Sequence, residues 1–288
     1  MALSDPAFSV APLLASELAD ADALVTGAGW NQTPDDWRVF LKAGRVLAVR
    51  NGARVIATAA TLPYGSRFGW ISMVLVAKEF QRRGLATELL HRCIEDLTAA
   101  KLVPVLDATP AGREVYRALG FQDSWGFQRL AAPQVKPAAA VSSSGLTIRP
   151  IDEVIWPKLC AYDAAAFGAD RSGLLANLRR RLPQAAFVAE RSGAIAGFLL
   201  GRDGRIASQL GPLVAEDDEV ARALLSSALS AISGQVFIDV ADAKTDTAAF
   251  LAAHGFAPQR PLTRMLLGRS QSFDDPRRTY AVAGPEFG

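Results

Sequence analysis

One order of elements is written twice along this chain, and that repetition constrains the fold more than any single motif does. In the first half, β-rich runs at residues 45–50 and 54–62 flank the turn Asn51-Gly52, a pair suited to a tight hairpin. A further apolar run over residues 68–76 predicts a strand. Residues 84–99 carry helical apolar spacing, residues 102–106 form a short apolar run, and residues 111–119 predict a helix that stops at Gly120 before Phe121. In the second half, runs at 185–190 and 194–201 flank Ser192-Gly193. A strand is expected at 205–214, a helix at 217–230, a short strand at 236–240 and a helix at 247–254, closed by Gly255 before Phe256. The fold expected is α/β in two copies.

Between the copies, residues 131–145 are rich in proline, alanine and serine and lack apolar periodicity, which marks a linker. The domains expected are 1–132 and 146–288, joined by a linker at 133–145. A chain of 288 residues, half of them hydrophobic, can bury two cores. Lys and Arg number 31 against 29 Asp and Glu, a net charge of +2, so no broad nucleic-acid surface is expected. The run Arg179-Arg180-Arg181 reads as a solvated helix end. Cys93 and Cys160 stand far apart and build neither a disulfide framework nor a metal cluster. Cys93 shares a helical stripe with Leu85, Leu89, Leu90 and Leu97, which makes it a core residue. The opening Met-Ala-Leu-Ser-Asp-Pro has no basic run leading into an apolar one, and no uncharged apolar segment reaches the about 18 residues that span a bilayer. A cytoplasmic protein without membrane partners is expected, with its oligomeric state left open.

Chemistry gathers between the third strand and the first long helix: Val74-Leu75-Val76, a short polar loop, then Gln81-Arg82-Arg83-Gly84-Leu85-Ala86-Thr87. A helix that starts at a glycine aims backbone N–H groups and the positive end of its dipole at one point, where a phosphate is the usual occupant. Gly84 lets an anion approach the backbone, Ala86 keeps the next position small, and Thr87 can add a hydroxyl. Arg82 and Arg83 add positive charge.

The spacing Gln81-x-x-Gly84-x-Ala86 after a strand resembles motif A of the GCN5-related N-acetyltransferase (GNAT) superfamily. The resemblance covers residues 7–130 closely and 146–267 more loosely. It implies two tandem domains, each a mixed, mostly antiparallel twisted sheet with a V-shaped splay, flanked by helices. It further implies that acetyl-coenzyme A lies with its pyrophosphate on residues 81–87 and its pantetheine along Val74, Leu75 and Val76. Thr109 would offer a hydroxyl to that arm, where relatives carry an asparagine nearby. Tyr116 falls where relatives place a tyrosine that protonates the departing thiolate. A phenol, with a pKa near 10, can stabilise and protonate a developing thiolate of pKa about 8.5. The reaction implied is direct attack by a primary amine of a small molecule or peptide on the acetyl carbonyl, with no metal. The general base is not identified, and the carbonyl oxygen would be polarised by an N–H near Val76. A non-catalytic acyl-coenzyme A-binding or sensing module of the same fold is the alternative.

Acceptor residues are sought in Trp30 and Asn31, since Thr33 and Pro34 are explained as the cap and first residue of a helix. The tail 280–288 is too apolar for a solvated end and could fold back over either domain; one explanation for an ordered tail is that Glu286 and Phe287 help close the acceptor cleft. The second half lacks the motif: Glu216, Asp217, Asp218 and Glu219 stand where a pyrophosphate would lie, and the position of Tyr116 falls near His254. That half is not expected to bind coenzyme A, and neither His91 nor His254 is expected to act chemically.

Overall fold

The computed structural model describes residues 8–138 and 145–288; residues 139–144 of the expected linker lie outside them. The chain divides into two compact units that do not coincide with its two sequence halves. The first runs through Leu106 and adds Gly204–Ile206 and Phe287. The second takes Asp107–Asp203, Ala207–Glu286 and Gly288.

In the first unit, β1 (Phe8–Pro12), β2 (Arg45–Asn51), β3 (Arg54–Tyr64) and β4 (Phe68–Val76) pair antiparallel in that order, and β5 (Val103–Ala108) joins β4 in parallel. β3 is buried at every position from 55 to 62. A strand buried without alternation is covered on both faces. The covering comes from α1 (Leu18–Gly27), α2 (Pro34–Ala43) and α3 (Leu85–Ala99), each of which packs on β3. Thr33 starts α2 as predicted: the Asp36 carboxylate accepts the Thr33 N–H at 2.7 Å, and Pro34 follows. Trp37 and Phe40 of α2 and Cys93 of α3 are fully buried. Burial pushes the Cys93 thiol up to about 12, as suits a core residue.

In the second unit the order is β12 (Ala257–Leu267), β6 (Phe121–Ala132), β11 (Val236–Ala241), β13 (Thr279–Ala281), β10 (Ser208–Ala215), β9 (Ala194–Arg202), β8 (Phe187–Arg191) and β7 (Leu146–Pro150). The helices are α4 (Pro110–Ala118), α5 (Trp156–Phe167), α6 (Ser172–Arg181), α7 (Asp218–Ala231) and α8 (Thr245–Ala253). β6, the last strand of the first sequence half, lies antiparallel between β11 and β12, both from the second half. The apolar core gathers leucines and alanines of α7 against β9, β10 and β11, with Leu130 and Ala132 of β6 built into it.

Several boundaries differ from expectation by one to three residues, and two of them have a local cause. β10 begins at Ser208 rather than residue 205, because Arg205 and Ile206 spend their N–H groups on Asn31. β8 begins at Phe187 because Pro183–Ala185 forms a 3-10 turn. The arginine run is not uniformly solvated either. Arg179 lies over the Trp156 ring and donates to the Ile151 carbonyl, and Arg181 is buried beside Asp203, leaving Arg180 exposed. Among the described residues no helix is long and apolar enough to cross a membrane.

Candidate active site

The parallel pairing of β4 with β5 is confined to residues 68–70 against 103–105. Beyond that point the two strands part, and among the described residues 71–76 hold their ladder with β3 alone. This is the V-shaped splay expected. Val74 and Val76 are half-buried along the parted stretch and Leu75 points into the core.

Within it, Met73 adopts φ 53° and the ladder with β3 shifts register between Thr58 and Ala60. The buried Thr58 hydroxyl donates to the Met73 carbonyl at 3.0 Å. Because the peptide bond is planar and trans, the Val74 N–H points to the opposite side from that carbonyl. The bulge therefore re-aims one backbone donor. Sequence reading had only a threonine in an apolar strand to suggest it.

After β4, Ala77 donates to the Ile56 carbonyl at 2.8 Å and Lys78–Phe80 makes a 3-10 turn. The Gln81 side chain folds back to donate to the Val76 carbonyl at 3.3 Å. Arg82 takes φ 62° and Gly84 φ 80°. A left-handed arginine costs of order 1–3 kcal/mol, a strain found at ligand clamps, and left-handed residues in a short turn form concave rows of N–H groups that suit anions. The first intrahelical bond of α3 runs from the Glu88 N–H to the Gly84 carbonyl at 3.0 Å. The N–H groups of Leu85, Ala86 and Thr87 thus start the helix without an intrahelical acceptor, and no side-chain cap is made at Gly84 among the described residues. Among the described residues nothing lies within 4 Å of where a Gly84 Cβ would stand. Gln81, Arg82, Arg83 and Thr87 are exposed, and the Arg83 guanidinium lies over the Phe80 ring at 5.2 Å. Beside the loop, α1 and residues 76–81 wall a cleft of about 520 Å³, with Arg54 and Val55 completing it.

Asn31 is 2% exposed and its side-chain oxygen accepts the Ile206 N–H at 2.9 Å, while Trp30 is half-buried. The structure thus places Val74, Leu75, Val76, the 81–87 turn, Trp30 and Asn31 in the first unit, and Thr109 and Tyr116 in the second.

Thr109 caps α4, its Oγ1 accepting the Gly112 N–H at 3.3 Å. Tyr116 is half-buried with its ring tilted against Phe121 at 6.0 Å. Its hydroxyl makes no hydrogen bond to any described residue, and burial raises its pKa above the ordinary phenol value. α4 is fixed to β6 through Asp123, which receives two bonds from Arg113, at 3.0 and 2.7 Å, and one from Arg117. Arg113 first, and Arg117 with it, hold the Asp123 carboxyl down at about 2. A carboxyl depressed in the folded state contributes stability above its unfolded pKa and loses it as pH falls through the folded one. The attachment of α4 is therefore expected to weaken between about pH 4 and pH 2. Asp123→Asn should remove that step from an acid titration followed by hydrogen exchange of α4, and an unchanged titration would exclude Asp123 as the tie.

The second unit repeats the splay and fills it. β10 and β11 pair in parallel at residues 208–210 against 236–238 and then part. β13 enters the gap, pairing Ala281 and Thr279 with Leu213 and Val214 on one side and Ala281 with Val240 on the other. The Ala215 N–H donates to the Arg278 carbonyl at 3.0 Å, and the Val282 N–H to the Asp239 carbonyl at 3.1 Å. At the start of α7, Asp217 accepts the Val220 N–H at 2.9 Å, and Arg191 binds Asp217 and Glu219, each at 2.8 Å. The helix end that would face an anion is capped by the chain's own carboxylate. His254 contacts the Phe250 carbonyl at 2.8 Å. The tail is buried: Glu286 pairs with Arg202, Phe287 stacks on Phe40 at 5.2 Å, and the Phe287 carbonyl accepts the Tyr64 hydroxyl at 2.7 Å. Among the described residues no cluster of His, Cys, Asp and Glu could hold a metal ion.

A splayed parallel pair whose two strands are joined by a helix, present twice, defines the class as N-acetyltransferase folds in tandem. Comparison with known proteins agrees. Residues 17–121 match the profile of the "Acetyltransferase (GNAT) family", and residues 159–281 that of the "Acetyltransferase (GNAT) domain". The chain belongs to the GNAT family and carries two of its domains. It is 26% identical over 233 residues to the uncharacterized N-acetyltransferase YitH of Bacillus subtilis (strain 168), covering 80% of each chain. The fold is similar to that of a putative acetyltransferase from Pyrococcus horikoshii, with a TM-score of 0.80 and 21% identity over 100% of this chain and 98% of that one. It is also similar to a tandem GNAT protein from the clavulanic acid biosynthesis pathway, with a TM-score of 0.64 and 17% identity over 90% of this chain and 98% of the other.

Proposed function

We propose that the protein transfers an acetyl group from acetyl-coenzyme A to a primary amine of a small molecule or peptide, using one active site per chain. The observation that carries this reading is the contrast between the two splays: among the described residues the first has an unpartnered strand edge and an uncapped helix start, and the second has both filled by its own residues.

The N–H groups at residues 81–87 would hold the pyrophosphate, with Arg82 and Arg83 adding charge and Gly84 leaving room. The backbone of Val74, Leu75 and Val76 would pair with pantetheine amides as a sheet edge pairs with a peptide. The Val74 N–H, turned outward by the Met73 bulge, is the donor assigned to the thioester oxygen. The neutral amine nitrogen attacks the carbonyl carbon, the new N–C bond forms as the C–S bond breaks, and the amine's surplus proton leaves to solvent. Tyr116 gives its phenolic proton to the thiolate and takes one back from solvent, which restores the phenol and balances the proton lost by the amine. Thr109 fixes the start of α4 and offers its hydroxyl as a further donor to the pantetheine arm. Trp30 and Asn31 belong to the segment that would face the acceptor, where an indole suits an ammonium group.

Calorimetric titration with acetyl-coenzyme A should give one site per chain. Gly84→Val should weaken that binding by about tenfold or more, since it adds a β-branched side chain in the anion's path at a left-handed position costing about 1–2 kcal/mol. Two equivalent sites, or full affinity in the variant, would contradict the assignment. Release of free thiol with a panel of amines tests turnover. Tight binding without thiol release for any amine would make the protein a sensor of acyl-coenzyme A instead.

A further inference from the structure

We infer that Arg205, carried on the connection between β9 and β10, is a positioning residue that fixes the acceptor-facing segment of the first unit; this rests on the acceptor role proposed above for Trp30 and Asn31. Gly204–Ile206 comes from the second sequence half yet packs within the first unit. Four polar contacts converge there on one short stretch. The Arg205 N–H donates to the Asn31 carbonyl at 2.8 Å, and the Ile206 N–H to the Asn31 side-chain oxygen at 2.9 Å. Arg205 Nε donates to the Gln32 carbonyl at 3.3 Å, and its guanidinium binds the Asp22 carboxylate on α1.

The position of Asp22 decides what this clamp does. Asp20, Ala23, Leu24, Gly27 and Ala28 of α1 line the cleft beside the 76–81 loop. At 3.6 residues per turn these share one face, and Asp22 falls on the other. Arg205 therefore holds the wall from behind, and it is not among the described residues that line the cleft. What it holds has little stiffness of its own: Gly27-Ala28-Gly29 leads out of the helix, with Gly29 at φ 66°. Asn31 is buried without belonging to a helix or strand, and the clamp gives its backbone and side chain their partners. Without the clamp the segment that carries Trp30 and Asn31 loses its fixed place, so the loss falls on acceptor binding and shows in KM.

The test compares wild type with Arg205→Ala, Arg205→Lys and the charge-exchanged pair Arg205→Asp/Asp22→Arg. It uses acetyl-coenzyme A and the amine of the panel that gives the fastest release of free thiol. Arg205→Ala should raise KM for the amine about tenfold with kcat within about threefold, the pattern of lost acceptor binding. The acetyl-coenzyme A dissociation constant should stay unchanged. Amide exchange over residues 22–33 should accelerate while that of α3 does not. Arg205→Lys and the exchanged pair should recover both readouts. Unchanged exchange overturns the inference whatever the kinetics, as does an acetyl-coenzyme A affinity that falls in parallel with the amine KM, which would indicate general loosening. Should no amine be turned over by wild type, the acceptor reading fails separately, and the exchange measurement alone decides whether Arg205 fixes this segment.

Discussion

Tyr116→Phe is expected to lower kcat by about 10²- to 10³-fold, the range for a positioned general acid, with acetyl-coenzyme A affinity and melting temperature near those of wild type. The substitution removes one oxygen that bonds to no described residue and keeps the ring against Phe121. The fold therefore loses packing nowhere, and a large loss of rate must come from chemistry. The sign of the pH dependence follows from the direction of the shift. Burial raises the phenol above its ordinary value, an acid works while protonated, and its contribution is kept below that pKa and lost above it. The alkaline limb of kcat should thus lie beyond about pH 10, and any limb nearer neutrality belongs to the amine or its base. A Tyr116→Phe enzyme with wild-type kcat would assign the proton to water and leave Tyr116 as a packing residue.

The elements around this residue were legible because local rules write them. The hairpins at Asn51-Gly52 and Ser192-Gly193, the helix closed at Gly120 and the helix start at Gly84 each carry their turn chemistry in adjacent residues. What was not legible is which strand neighbours which. Alternation and apolar runs give a strand its faces, and its partner is chosen by distant residues. Nothing local to residues 121–132 says that they pair with β11 and β12. One signal was present. Arg129 stands eight residues after Phe121, and Arg264 eight after Phe256, each a charge in an otherwise strand-like run. Charges there need buried partners, which the structure supplies as Asp239 and Asp107. β13 escaped for a related reason: Thr279–Ala281 is too short to register as a strand, and its identity comes from the gap that it fills.

Asp239→Ala is expected to destabilise the protein by about 3–5 kcal/mol, the cost of breaking a buried pair on one side. Asp239 is fully buried and accepts from Arg129 twice, at 2.8 and 2.7 Å, and from Gln209 at 2.8 Å. Burial works against the Arg129 charge, and Asp239 more than offsets it, so that arginine titrates above its ordinary value. Without the carboxylate, the guanidinium has lost both of its side-chain bonds in the core of the second unit. The same device at Asp107 is weaker. Its arginine, Arg264, is shared with Asp274 at 3.3 Å, and burial prevails over the pairing, lifting Asp107 to about 6. A carboxyl raised in the folded state costs stability when ionised, so this contribution declines as pH rises from about 4 to about 6. Asp107→Asn should therefore be milder than Asp239→Ala at neutral pH and should flatten stability across that window. Replacing both partners, as in Arg129→Met/Asp239→Leu, should recover most of the loss, because the penalty lies in the stranded charge. Denaturant unfolding of these variants separates the outcomes. If the double replacement is as unstable as Asp239→Ala, the pair acts through geometry: it would then be setting the register by which β6 enters the sheet between β11 and β12.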